Sequence, residues 1–133
     1  MTLRIKRPDK KNAESLLQSA KEEMLFTLTI PITDASGSTI VRNIYECFRK
    51  LGDAILIAKG IESHDHKEPM QALMTLSVST HRPLGAIDNL RRLRHNINYY
   101  GYKPTLPEVN DILSLAKELF KPVASAVEKE IKQ

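Results

Sequence analysis

From Ile40 to Leu56, the residues Ile40, Val41, Ile44, Tyr45, Phe48, Leu51, Ile55 and Leu56 recur at steps of three and four. Only a period near 3.6 residues gathers such a set on one side of the backbone, so a long, mostly core-facing helix is expected here. Ser38 or Thr39 stands where it can cap the start, and Gly60 can adopt the left-handed conformation that ends helices. An apolar face of this breadth must be covered, which asks for other helices around it.

The rest of the chain supplies them. From Asn12 to about Leu28, the spacing of Ala13, Leu16, Leu17, Ala20, Met24 and Leu28 predicts a first helix, and IPITDASGS is a turn-forming loop before the second. GIESHDHKEP is a polar connection to a short third helix with Pro69 in its first turn and Met70, Leu73 and Met74 on its apolar side. Leu84, Ile87, Leu90, Leu93, Ile97 and Tyr100 mark a fourth helix. Thr105 with Glu108 has the form of a capping box opening a fifth, which carries Val109, Ile112, Leu113, Ala116, Leu119, Phe120, Val123 and Val127 and is expected to kink at Pro122. Short connections suit antiparallel neighbours, so the expected fold is all-α, a four-helix bundle with one additional shorter helix.

At 133 residues the chain fits one domain. Residues 1–11, with Arg4, Lys6, Arg7, Lys10 and Lys11, are expected to be a basic, solvated tail, and residues 12–133 a single helical domain. Cys47 has no second cysteine to pair with, and the start MTLRIKRPDKK has no apolar signal-peptide core, so the cytoplasm is the expected location. No apolar run reaches the roughly 18 to 20 residues that span a bilayer. A net charge of +4 permits attraction to nucleic acid without demanding it.

The chemistry concentrates in LRRLRHNINYYGY, Leu90 to Tyr102. At 100° per residue, Asp88, Arg91, His95, Tyr99 and Tyr102 share a side distinct from that of Leu90, Leu93, Ile97 and Tyr100. Arg91 and His95 stand on adjacent turns, where a guanidinium fork and an imidazole able to move protons can face one phosphate. The same pattern also describes a solvated helix surface whose tyrosine rings lie against their neighbours.

Over residues 12 to 131 the order of these elements resembles HEPN domains. RNIYECFRKLGDAILIAKGIESHDHKEPMQALM resembles that family's helix, polar loop and loop histidine, with His66 in the histidine's place; LRRLRHNINYYG resembles its signature helix, and VNDILSLAKELFKPVASAVEKEI its closing helix. The resemblance implies an up-and-down bundle forming a homodimer, with the signature helices meeting across a cleft. It also implies engagement of RNA or nucleotides, in some members metal-independent endoribonuclease action of toxin type beside a nucleotidyltransferase antitoxin. On that reading Arg91, Arg94 and His95 are the catalytic candidates, and Arg92, Asn96, Tyr99 and Tyr102 the RNA- or nucleotide-binding ones. Arg91 stands closer to His95 than the arginine of the nuclease members does, and Ile97 occupies the position of the toxin subgroup's tyrosine. A non-catalytic binder and a protein-interaction dimer therefore stay open as alternatives.

No cofactor or metal is expected. His64 and His66 with Glu62 and Asp65 have ligand chemistry but lack a spaced second pair, so a solvated loop or a helix-capping role is the simpler reading. His81 belongs to a turn, and Tyr45, Phe48, Phe120 and Cys47 are expected in the core. GDAILIAKG has no GK[ST] ending, which excludes a P-loop.

Overall fold

The computed structural model describes residues 4–5, 7–65 and 67–133. Lys6 of the basic run and His66 of the polar loop lie outside the described residues. Among the described residues, five helices run in the order α1 (Lys10–Thr27), α2 (Gly37–Ala58), α3 (Lys67–Met74), α4 (Ala86–Tyr100) and α5 (Leu106–Lys132). Two two-residue strands, β1 (Arg4–Ile5) and β2 (Ile61–Glu62), pair antiparallel, with Arg4 opposite Glu62 and Ile5 opposite Ile61. No described helix is long and apolar enough to cross a membrane.

Helix α2 is the shared partner of the others, packing against α1, α3, α4 and α5. Its whole predicted stripe is buried, and Cys47 and Ala54 join it. Printed contacts give the directions. The Asp9 amide donates to the Ile57 carbonyl oxygen at 3.1 Å, and Lys50 pairs with Glu23 at 2.6 Å, so α1 runs antiparallel to α2. Lys10 Nζ donates to the Gln133 carbonyl at 2.8 Å, and Lys21 reaches Glu128 at 4.0 Å, so α1 is antiparallel to α5 as well. Phe48 and Phe120 meet edge to face, centroids 5.6 Å apart, locking α2 to α5 in the arrangement that aromatic quadrupoles prefer.

Helix ends follow local chemistry, though not always at the expected residue. Helix α1 starts at Lys10, two residues before the sequence boundary, because Asp9 Oδ1 accepts the Asn12 amide at 3.0 Å. Helix α2 starts at Gly37, with Ser36 as its cap residue rather than Ser38 or Thr39. The Ser36 hydroxyl turns back into the loop, donating to the Pro31 carbonyl at 2.6 Å and accepting from the Thr33 amide at 2.9 Å. Gly60 has φ of 77° and closes α2 as expected. The capping box on α5 forms in both directions, and α5 runs through Pro122 without interruption.

The seat of α3 depends on Gly52. A β-carbon there would run into the Pro69 carbonyl oxygen and carbonyl carbon well inside van der Waals distance, and these are backbone atoms with no rotamer to escape into. The position therefore needs hydrogen as its side chain so that α2 and α3 can touch. Met70 and Leu73 fill the contact, whereas Met74 is exposed, contrary to its expected core placement, because α3 ends there.

Gly52→Ala is expected to lower unfolding free energy by about 3 kcal/mol, the upper part of the range for overpacked cores, measured by urea denaturation monitored by circular dichroism. A loss under about 0.5 kcal/mol, typical of an uncrowded site, would show that α3 can shift freely.

Candidate functional site

Helix α4 lies on α2 through Ile87, Leu90 and Ile97, which are buried, with Leu93 and Ala86 packed at the margin of the core. That seating fixes which way each polar side chain leaves the helix. Arg94, one step beyond Leu93, reaches inward across α2, its guanidinium carbon 4.9 Å from the centroid of the Tyr45 ring. A cation over a fully buried ring is worth about 0.5–2 kcal/mol, the larger value applying as water is excluded. Burial pushes the Tyr45 hydroxyl above its ordinary value, and the nearby Arg94, Arg49 and Arg91 guanidinium groups oppose it.

Arg91 and Arg92 share one carboxylate. Asp88 Oδ1 accepts Arg91 Nε at 3.0 Å and Oδ2 faces Arg92 Nε at 3.1 Å, the spacings of three and four placing all three on one side of the helix. Two cations on one anion leave a net positive charge at the surface, and the Arg92 side chain is 70% exposed. Beneath them on α2, Arg49 is clamped by Glu46 at 2.7 Å and Asp53 at 3.0 Å; hydrogen bonding to Glu46, working against burial, holds it above the ordinary arginine value.

His95 leaves on the solvent side. Its ring lies 4.6 Å from Tyr99 at 39° and 5.7 Å from Tyr100 at 70°, centroid to centroid. Tyr99 is 66% exposed and Tyr100 75%. The exposure of Tyr100 corrects its placement on the apolar stripe: α4 ends at this residue, Gly101 turns the chain away with φ of 63°, and the ring swings onto His95. Three rings thus stand together in water at the C-terminal end of α4.

Asn96 and Tyr102 serve the helix stop. The Asn96 carbonyl accepts the amides of Gly101 and Tyr102, the latter at 3.1 Å. The Tyr102 hydroxyl donates to Glu108 Oε1 at 2.5 Å, the same oxygen that accepts the Thr105 amide at 2.9 Å, so the tyrosine braces the capping box of α5. That bond raises the Tyr102 hydroxyl above its ordinary value. Burial alone would raise the Glu108 carboxyl, but the Thr105 backbone, the Tyr102 hydroxyl and the Thr105 side chain together hold it below the ordinary carboxylate value.

The candidate residues therefore separate into Arg91 and Arg92 on Asp88, Arg94 over Tyr45, His95 with Tyr99, and Asn96 with Tyr102 at the stop. Tyr45 lies in the core as its spacing predicted, but its role under Arg94 was not read, nor was the Glu46–Arg49–Asp53 clamp, although the clamp's spacing of three and four was there to read. The hollow beside Arg91, lined by Lys67, Met70, Gln71, Met74, Ile87, Asp88 and Arg91, holds about 250 Å³. Ligand pockets usually span about 300–1,000 Å³, so α4 offers a surface rather than an enclosure. Cys47 is buried, and desolvation pushes its thiol up to about 12, which leaves it protonated and unreactive. Among the described residues no three of His, Cys, Asp and Glu converge on a point where a metal could sit. No family model matches the chain, and no curated protein or solved structure matches it either.

Glu108→Gln is expected to lower stability at neutral pH by about 1 kcal/mol, the usual worth of a cap. The folded carboxyl titrates below its unfolded value, so its contribution is complete above the unfolded range and is lost as pH falls through the folded value. The gap between wild type and variant should close on acidification, as read from urea melts across the acid range; a gap that widened would refute the assignment.

Proposed function

We propose that this chain is a HEPN-like helical domain, an up-and-down four-helix bundle of α1, α2, α4 and α5 with α3 as the shorter helix, and that the α4 surface engages RNA. What supports the fold reading is the antiparallel course of α1 against both α2 and α5 and the burial of all four helices on one core. The observation that carries the functional reading is the join of exposed His95, Tyr99 and Tyr100 rings to the net positive Asp88, Arg91 and Arg92 group along one helix. Cations take phosphate, and uncovered rings take base faces. An open surface suits a strand better than a free nucleotide, which needs walls. A homodimer and a nucleotidyltransferase partner belong to the same reading.

A second reading, metal-independent endoribonuclease action, is favoured by the exposure of His95 beside arginines. An imidazole open to solvent can abstract a 2′-hydroxyl proton while guanidinium groups steady the phosphate. Arg91 and Arg94 would then have to leave Asp88 and Tyr45 to reach substrate.

Fluorescence anisotropy with a labelled, unstructured RNA is expected to give salt-dependent binding. Tyr99→Ala or Tyr100→Ala should weaken it by about tenfold each, corresponding to about 1–3 kcal/mol per stacked base. Undiminished affinity in both variants and in Arg92→Glu would exclude the α4 surface. Incubating the same RNA in EDTA separates the two readings: intact RNA with binding retained in His95→Ala supports a binder, whereas cutting to cyclic phosphate ends that His95→Ala abolishes supports the nuclease.

A further inference from the structure

A wide apolar groove lies away from α4. It runs between the C-terminal half of α1 and the middle of α5 and holds about 630 Å³. Ala116, Phe120 and Ala124 follow one another at steps of four along α5, with Met24 and Leu28 opposite on α1, so the floor is apolar from end to end. The two alanines leave room on either side of the Phe120 ring. Leu25 also lines the groove and is 69% exposed, so the groove opens to water along its α1 side. Phe26 and Glu22 face a different hollow, toward α2, and take no part in it.

The charge around this floor has one sign. Lys21, Lys117 and Lys121 line the groove, and among the described residues no carboxylate does. Glu118, beside Lys117 in sequence, is taken by Arg82, and Lys21 meets Glu128 only at 4.0 Å. Among the described residues no ion pair engages Lys117 or Lys121. The cations are also spread out. Lys117 and Lys121 stand one turn apart on the α5 edge, roughly 6 Å along the axis, and Lys21 on the α1 edge reaches toward Glu128, about 10 Å beyond Lys121.

We infer that the α1–α5 groove receives an acidic amphipathic helix of a partner protein, its apolar side chains over Ala116, Phe120 and Ala124 and its carboxylates against Lys117, Lys121 and Lys21. An amphipathic helix seats its apolar stripe in such a groove through anchors at i, i+3 or i+4, and i+7. Those anchors span about 10 Å, and the floor from Ala116 to Ala124 runs about 12 Å. Acidic residues on both flanks of the stripe then face lysines on both edges, the match of sign that steers and orients a partner. A single-chain lipid anion carries its charge at one end and would leave the other lysines unanswered. An anionic membrane is flat: it would meet the lysines and Leu25 but not the buried Met24, Ala116 and Ala124 at the bottom. No α4 residue lines the groove, so the inference does not rest on RNA engagement, and its test uses no RNA.

The probe is a fluorescently labelled synthetic helix with leucine at i, i+3 and i+7 and glutamate on both flanks of that stripe. Titrating it with the purified full chain is expected to give saturable anisotropy with a Kd of about 10 µM. The same peptide with lysine in place of each glutamate should bind about tenfold more weakly, and Lys117→Glu with Lys121→Glu should reverse that preference. Leu25→Asp should weaken binding of the acidic peptide by about tenfold or more with an unchanged circular dichroism spectrum, since Leu25 lies largely in solvent. Equal affinity for the two peptides, binding that survives Leu25→Asp, or no binding up to about 1 mM overturns the inference. So does co-sedimentation with anionic phospholipid vesicles that the two lysine substitutions abolish, if the acidic peptide goes unbound.

Discussion

Everything in the molecule depends on α2 being covered on several sides at once. A helix with this much apolar surface has no stable position until each neighbour is seated, so the placements of α1, α3, α4 and α5 are consequences of burying one stripe. Each neighbour brings a different device. Helix α1 adds the Lys50–Glu23 pair, α5 adds the Phe48–Phe120 edge contact, and α3 exploits the missing side chain at Gly52. Helix α4 has Arg94 over Tyr45, which makes a candidate site residue part of the packing that holds its own helix in place.

Much of this architecture was legible because period and burial are tightly coupled. The stripes on α1, α2 and α5 predicted their buried faces, except at Leu28, which is exposed just past the end of α1, and the Thr105–Glu108 pair and Gly60 were read correctly, since each depends on residues close in sequence. What could not be read depends on where a neighbour stops. Tyr100 continues the α4 stripe by spacing yet lies in water, because no element covers the last turn. Met74 fails on α3 for the same reason. Ser36 stands at the N-cap of α2 in place of Ser38 or Thr39, with its hydroxyl bonded to Pro31 in the loop and not to the helix, a choice between neighbouring hydroxyl residues that periodicity does not make.

The candidate site was legible as a set of residues but not as an arrangement. Spacing put Arg91 and His95 on adjacent turns, as they are, but it could not show that Asp88 would collect both Arg91 and Arg92 or that Arg94 would turn inward. Whether a helical arginine points at solvent or across a neighbour depends on the rotation of the helix on its core, which is a tertiary property. Tyr102 shows the other side of the same point. It shares a face with His95 by angle, but its hydroxyl is committed to Glu108, so it acts on the fold of α5 before it can act on any ligand.

On the proposed reading, the polarity of α4 also gives a bound strand a direction. The N-terminal half of the helix carries Arg91 and Arg92, while the exposed rings stand in its last turn, at the negative end of the helix dipole. Phosphate is favoured at the first and disfavoured at the second, whereas an uncharged base face is indifferent to the helix dipole and gains from the rings. A duplex cannot meet both demands, because its bases are stacked on each other and shield their faces. An unpaired strand can, with one phosphate beside Arg92 and the base of a later nucleotide against Tyr100, about 12 Å further along the helix, so the order of charge and rings along one helix favours single-stranded over paired RNA.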